Sequence, residues 1–97
     1  MATFITLLNF TDQGIRSVKE SPNRVEAFKK MAGSLGVNVK SVYYTLGTYD
    51  LVVVTEGDEE AEIATLLRAG SLGNVRSQTM RGFSVDEFTK IIARMPA

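Results

Sequence analysis

The chain has 97 residues, with 11 Lys and Arg against 11 Asp and Glu, so it carries no formal net charge. A single domain, residues 1–97, is the limit at that length. With no Cys, His or Trp, a disulfide framework, a Cys/His zinc site and a His-dependent catalytic triad are excluded, and no metal site is expected. A neutral chain also lacks the positive field of a general nucleic-acid binder. A domain this small buries only about 60–65% of the surface its unfolded chain exposes. Its core is therefore marginal, and association with a second copy would add stability.

Residues 1–10 have no basic leader region, and Asn9 and Asp12 interrupt the apolar run, so no signal peptide is read there. The longest apolar stretch, Leu51 to Val54, falls far short of the ~20 residues that span a bilayer. A cytoplasmic location and no membrane partner are the expectation.

Thr3 to Phe10, rich in β-branched and aromatic residues, predicts the first strand, stopped by the turn cluster Thr11-Asp12-Gln13-Gly14. A polar connection with Arg16, Lys19 and Glu20 follows. Ser21-Pro22 reads as an N-cap and first helical residue, and Val25, Phe28, Ala32 and Leu35 then recur on one helical face up to the stop at Gly36. The helix is expected over 22–35. The second strand is placed at Lys40 to Leu46 and the third at Leu51 to Glu56, with a break too short for anything but an antiparallel hairpin. Asp58 caps a second helix whose first turn carries Glu59, Glu60 and Glu62, the sign that suits the positive end of the helix dipole. Its buried face is expected to hold Ala61, Ile63, Ala64 and Leu67, and Gly70 and Gly73 end it. The fourth strand is Asn74 to Arg81. Ser84-Val85-Asp86-Glu87 is a capping box, opening a terminal helix with Val85, Phe88, Ile92 and Met95 on one face, ended by Pro96.

The order is the βαββαβ pattern of an α+β, ferredoxin-like fold with a four-stranded antiparallel sheet and an extra C-terminal helix. Its strands do not alternate as a one-sided sheet should. Phe4, Leu8 and Phe10 have one parity and Ile5 and Leu7 the other; Leu51 and Val53 oppose Val52 and Val54. Helices cover only one of these faces. An apolar patch on the other marks an interface, and a second copy stacked sheet against sheet is the expected cover. The alternative is that the terminal helix, Ser84 to Met95, roofs the open face of its own sheet.

Leu46-Gly47-Thr48-Tyr49-Asp50-Leu51-Val52, at the second hairpin, resembles the signature of the GYD-domain family, small bacterial-type proteins named for Gly, Tyr and Asp in this hairpin. Thr3 to Gly14, Tyr43-Tyr44-Thr45-Leu46-Gly47, and Gly73-Asn74-Val75-Arg76 with Thr79 resemble other stretches of the family pattern, so the likeness covers nearly the whole chain. The resemblance implies a dimeric α/β barrel, from a superfamily that includes cofactor-free monooxygenases, stress-response barrels and ligand-sensing regulators. It implies no cofactor and brings no settled activity.

Asp50, where a turn becomes a buried strand, is the best candidate for a general base or an amine ligand; otherwise it accepts backbone N–H bonds and pins the turn at Gly47. Tyr49 is a candidate donor to a ligand oxygen, or a ring packed across the hairpin. Tyr43 and Tyr44 must point to opposite faces, and Tyr44 is a candidate polar handle of an apolar pocket. Arg76 shares a face with Gln78 and Met80, as a pocket wall for a carboxylate or phosphate or as part of a solvated edge. Arg16, Lys19 and Arg24 surround the start of the first long helix, as an anion site or a wet surface.

The function these readings favour is a small homo-oligomeric barrel that binds a small organic ligand between sheet and helices. The alternatives are a cofactor-independent monooxygenase- or isomerase-type enzyme using Asp50, and a purely structural oligomerisation module.

Overall fold

The computed structural model describes residues 1–97. Strand β1 (Ala2–Phe10) leads into a short helix α1 (Asp12–Arg16), a 3-10 turn (Val18–Glu20) and helix α2 (Ser21–Ser34). Strands β2 (Asn38–Tyr44) and β3 (Leu51–Gly57) form the hairpin, followed by α3 (Glu59–Ser71), β4 (Val75–Gly82) and α4 (Val85–Ile92). The sheet order is β2-β3-β1-β4, with every pair antiparallel. The ferredoxin-like fold read from the sequence is the observed one.

The two faces separate by parity. Phe4 pairs with Thr55 and Arg81, Thr6 with Val53 and Thr79, and Leu8 with Leu51 and Ser77; these residues form the face under α2 and α3. The Thr6 and Thr79 hydroxyls meet at 2.9 Å, satisfying each other across two strands. Ile5 with Val54 and Met80, and Leu7 with Val52 and Gln78, form the opposite face. No element of the chain lies over it. Ile5, Leu7, Val52 and Val54 on the central strands are half-buried, whereas Tyr43 on edge strand β2 is 63% exposed and Met80 on edge strand β4 is 41% exposed.

Helix α4 does not roof this face. None of its residues is buried, and no strand or helix packs along it. It projects from the sheet and stretches the molecule to 54 Å in its longest dimension.

Four local expectations are corrected. Thr11-Asp12-Gln13-Gly14 is the start of helix α1, because the Thr11 hydroxyl accepts the Gly14 N–H at 3.1 Å and the Thr11 N–H is held by the Asn74 carbonyl at 3.0 Å. Ser21 is not an N-cap. The 3-10 turn runs directly into α2, the capping position falls on Glu20 without a side-chain cap, and the Ser21 hydroxyl pairs with that of Tyr44 at 2.8 Å. β2 ends at Tyr44 rather than Leu46, because Thr45 closes the hairpin, its N–H donating to the Asp50 carbonyl and its hydroxyl to the Tyr49 carbonyl.

The fourth correction concerns α3. Its packed side carries Glu62 and Thr65, both buried, while Ile63 and Leu67 face out, 50% and 68% exposed. Two bonds account for this rotation: the Asp58 carboxylate accepts the Ala61 N–H, and the Thr55 hydroxyl reaches the Glu62 carboxylate at 2.8 Å.

Candidate functional site

The residues singled out from the sequence fall into three places rather than one. Tyr49 and Arg76 come together on the uncovered sheet face. The Tyr49 hydroxyl donates to Gln78 Oε1 at 3.0 Å, and Leu7, Asn9, Tyr49, Arg76 and Gln78 line a depression of about 210 Å³. Arg76 makes no ion pair, the only two in the chain being Lys29–Glu26 and Lys40–Glu56. It therefore offers this depression a free guanidinium, the geometry for a planar anion.

Asp50 sits beside that place but is engaged. Its Oδ2 accepts the Phe10 N–H at 2.9 Å, and its own N–H donates to the Leu8 carbonyl at 2.8 Å. The carboxylate thus extends the β1–β3 ladder beyond its last backbone pair and ties the hairpin to the end of β1. Gly47 turns the hairpin at φ +102°, a conformation that favours glycine.

Tyr44 lies on the other side of the sheet, tied to Ser21 at the start of α2. Tyr43 takes the uncovered face, pairing with Val52.

Between the sheet and helices α2 and α3 is a cavity of about 260 Å³. Its wall is mostly apolar, with Phe10 and Val42 from the sheet, Phe28 and Met31 from α2, and Leu66 from α3. Its polar members include Arg24 and Arg68, and no acidic residue lines it. Arg24 holds the preceding segment, donating to the carbonyls of Ser17 and Gly14 at 3.1 and 3.2 Å and to the Ser17 hydroxyl. Of the basic cluster expected there, Arg24 is thus committed to backbone oxygens. Sequence reasoning did not identify the cavity wall, because its residues come from six elements and no local spacing joins them.

One buried group stands apart. Glu62 is 3% exposed, and its Oε1 has no hydrogen-bond partner. Burial pushes its carboxyl above the ordinary range, the Thr55 hydrogen bond opposes that, and the Asp58 charge adds to it. No three acidic, His or Cys side chains converge as metal ligands would, and no helix is long and apolar enough to cross a membrane.

Comparison with solved structures agrees with the fold. The chain superposes on MtbAldR with a TM-score of 0.65 at 10% identity, over 86% of this chain and 53% of that one. It superposes on a feast or famine regulatory protein from M. tuberculosis, solved with L-methionine, with a TM-score of 0.63 at 17% identity, over 88% of this chain and 52% of that one. The chain spans about half the length of these two proteins, and at such identities the likeness is one of fold. At the sequence level it is 34% identical over 97 residues to the "Glutamine synthetase and cystathionine beta-lyase binding protein" of Thermus thermophilus, covering 98% of this chain and 99% of that protein. The GYD domain profile matches residues 4–92, a span that includes the Gly47-Tyr49-Asp50 hairpin, most of β1 and the whole of β2, β3 and β4, and the chain belongs to the GYD family.

Proposed function

We propose that the protein is a homo-oligomeric binding protein of the dimeric α/β-barrel kind, in which two copies stack their uncovered sheet faces and the assembly holds other molecules. The observation that carries this reading is the uncovered face itself. Ile5, Leu7, Val52, Val54, Tyr43 and Met80 form a contiguous apolar surface on the side away from α2 and α3, and such surfaces in small domains mark interfaces. The Thermus relative is named for binding two enzymes. That name, with the outward Ile63 and Leu67 of α3, supports proteins as the class of molecule bound; a cytoplasmic location is part of the same proposal.

A small organic ligand between sheet and helices is a second reading, favoured by the 260 Å³ cavity and by Arg68 in its wall. The enzyme reading has less support. It needs Asp50 free to take a proton, and that carboxylate is engaged by the Phe10 N–H.

Native mass spectrometry of the purified protein at micromolar concentration tests both readings. The expected spectrum is a dimer or larger closed oligomer, and a retained small molecule would appear as added mass. Glutamine synthetase from the same source, passed over immobilised protein, tests the protein-binding part. A monomer at every concentration overturns the oligomeric proposal, and an enzyme that flows through unretained overturns the proposed class of partner.

A further inference from the structure

Helix α4 presents a problem of stability. It has eight residues, and isolated helices shorter than about 12–15 residues are marginal in water. Its capping box is complete, with Ser84 Oγ accepting the Glu87 N–H and Glu87 Oε1 accepting the Ser84 N–H; such a cap fixes where the helix starts but does not hold the rest of it. Helices of this length are held by packing an apolar face, and α4 has one: Val85, Phe88, Ile91 and Ile92, with Met95 just beyond its end. All five are exposed, Val85 at 83%. The other side carries Asp86, Glu87 and Lys90.

The chain cannot satisfy this helix itself. Only Phe83 and Ser84 separate α4 from β4. The Arg81 guanidinium stacks 4.3 Å from the Phe83 ring and 5.9 Å from that of Phe4. Phe83 keeps the strand parity of Arg81, and with so short a connection α4 does not fold back to pack along the strands of its own sheet. The Cα radius of gyration is 15.0 Å, above the about 13 Å of a compact chain this long.

We infer that α4 is exchanged between copies: the helix of each seats its apolar face against the margin of the other's uncovered sheet face. This rests on the sheet-stacked oligomer proposed above and adds the element that completes it. Each chain offers one unpartnered helix and one unpartnered sheet face, and a two-fold exchange satisfies both in a closed assembly. The margins are where apolar surface is left most open, at Tyr43 on β2 and Met80 on β4. Area points the same way. Four strands about 4.8 Å apart, with about seven residues of 3.3 Å each, give a flat face of about 450 Å². Two such faces bury about 900 Å², short of the roughly 1,200–2,000 Å² of a stable interface. Two exchanged helices, each about 12 Å long and 10 Å wide, add roughly 500 Å² counting the helix and the surface it covers, which brings the total into that range.

The test uses the full chain. Phe88→Lys and Ile92→Lys alter side chains already exposed in the single subunit, so they leave its fold intact. In sedimentation equilibrium each is expected to weaken dimerisation by 100-fold or more, while Lys90→Glu on the polar side leaves it within about threefold. A photo-crosslinking residue at position 88, in an equimolar mixture of heavy-isotope and ordinary protein, is expected to join heavy to light peptides and to land on β2 or β4. An unchanged dimerisation constant in both lysine variants overturns the exchange while leaving the stacked dimer standing. Crosslinks confined to one chain, or landing on α2 and α3, overturn it as well. A wild-type monomer overturns the exchange and the stacked oligomer together.

Discussion

Replacing Gly14 by Ala is expected to be the most damaging single-methyl change in this protein. Gly14 is buried in α1, and a Cβ built on it would stand 1.9 Å from the Asn74 carbonyl oxygen and 2.9 Å from its carbonyl carbon, where real Cβ atoms essentially never come within 3.0 Å. Both obstructing atoms are backbone, so no side chain can swing aside. The helix and the turn at Gly73–Asn74 must part by about 1 Å or more, a displacement of the overpacking kind that typically costs 1–3 kcal/mol. That parting stretches three bonds: Thr11 N–H to the Asn74 carbonyl at 3.0 Å, the Thr11 hydroxyl to the Gly73 carbonyl at 2.6 Å, and Gln13 Nε2 to the Leu72 carbonyl at 3.0 Å. Each contributes about 1 kcal/mol net. A loss of about 3 kcal/mol follows, which in a domain this size lowers the melting temperature by roughly 12–24 °C. Gly33→Ala is the control: it lies in α2 with nothing within 4 Å of its added methyl, and it is expected to hold or raise stability by up to about 1 kcal/mol. Thermal and urea unfolding of the three proteins, followed by circular dichroism, makes the comparison. A Gly14→Ala protein melting within about 3 °C of wild type, less than 1 kcal/mol, would refute the claim that α1 is clamped against the turn.

Asp50→Ala is expected to destabilise by about 1.5–3 kcal/mol, because the Phe10 N–H loses a charged acceptor, whereas Asp50→Asn, which keeps an acceptor oxygen, loses less than half of that; equal losses in urea titrations would disprove the hydrogen-bond account. Glu62 predicts a pH dependence. Its carboxyl is raised in the folded state, so the folded protein holds that proton more tightly than the unfolded chain, and the stability this group contributes is present below the unfolded value of 4.5 and is lost as pH rises through the folded value. Glu62→Gln should therefore flatten the stability profile in the weakly acidic region above 4.5; an unchanged profile by pH-stepped urea unfolding counts against it.

Long-range order was legible where local chemistry and tertiary demand agree. The parity of Leu51 and Val53 against Val52 and Val54 gave the two faces correctly, and the capping box at Ser84 located α4. Errors arose where a distant partner decides the local outcome. Thr11 to Gly14 contains turn formers, yet the Asn74 carbonyl, 63 residues from Thr11, draws the segment into a helix. Ser21 is a good capping residue by type, but Tyr44 claims its hydroxyl. On α3 the apolar spacing of Ile63 and Leu67 pointed inward, and a hydrogen bond from Thr55 to Glu62 turned them out. The candidate site divided for a related reason. Tyr44 ends β2 opposite Leu51, on the side of the helices, whereas Tyr49 lies in the turn before β3, outside the strand alternation, and its hydroxyl reaches Gln78 on the other side.

The placement of β1 also governs how the chain can come into being. It is synthesised first, yet its ladder neighbours are β3, complete at Gly57, and β4, complete at Gly82. A growing polypeptide therefore carries an oily segment with no sheet to join until most of the sequence has left the ribosome, and contacts so far apart in sequence slow folding. Division of the gene at the β3–α3 junction would leave β1 lacking one flank and β4 lacking its only one, so the two pieces should recover the native sheet only when expressed together.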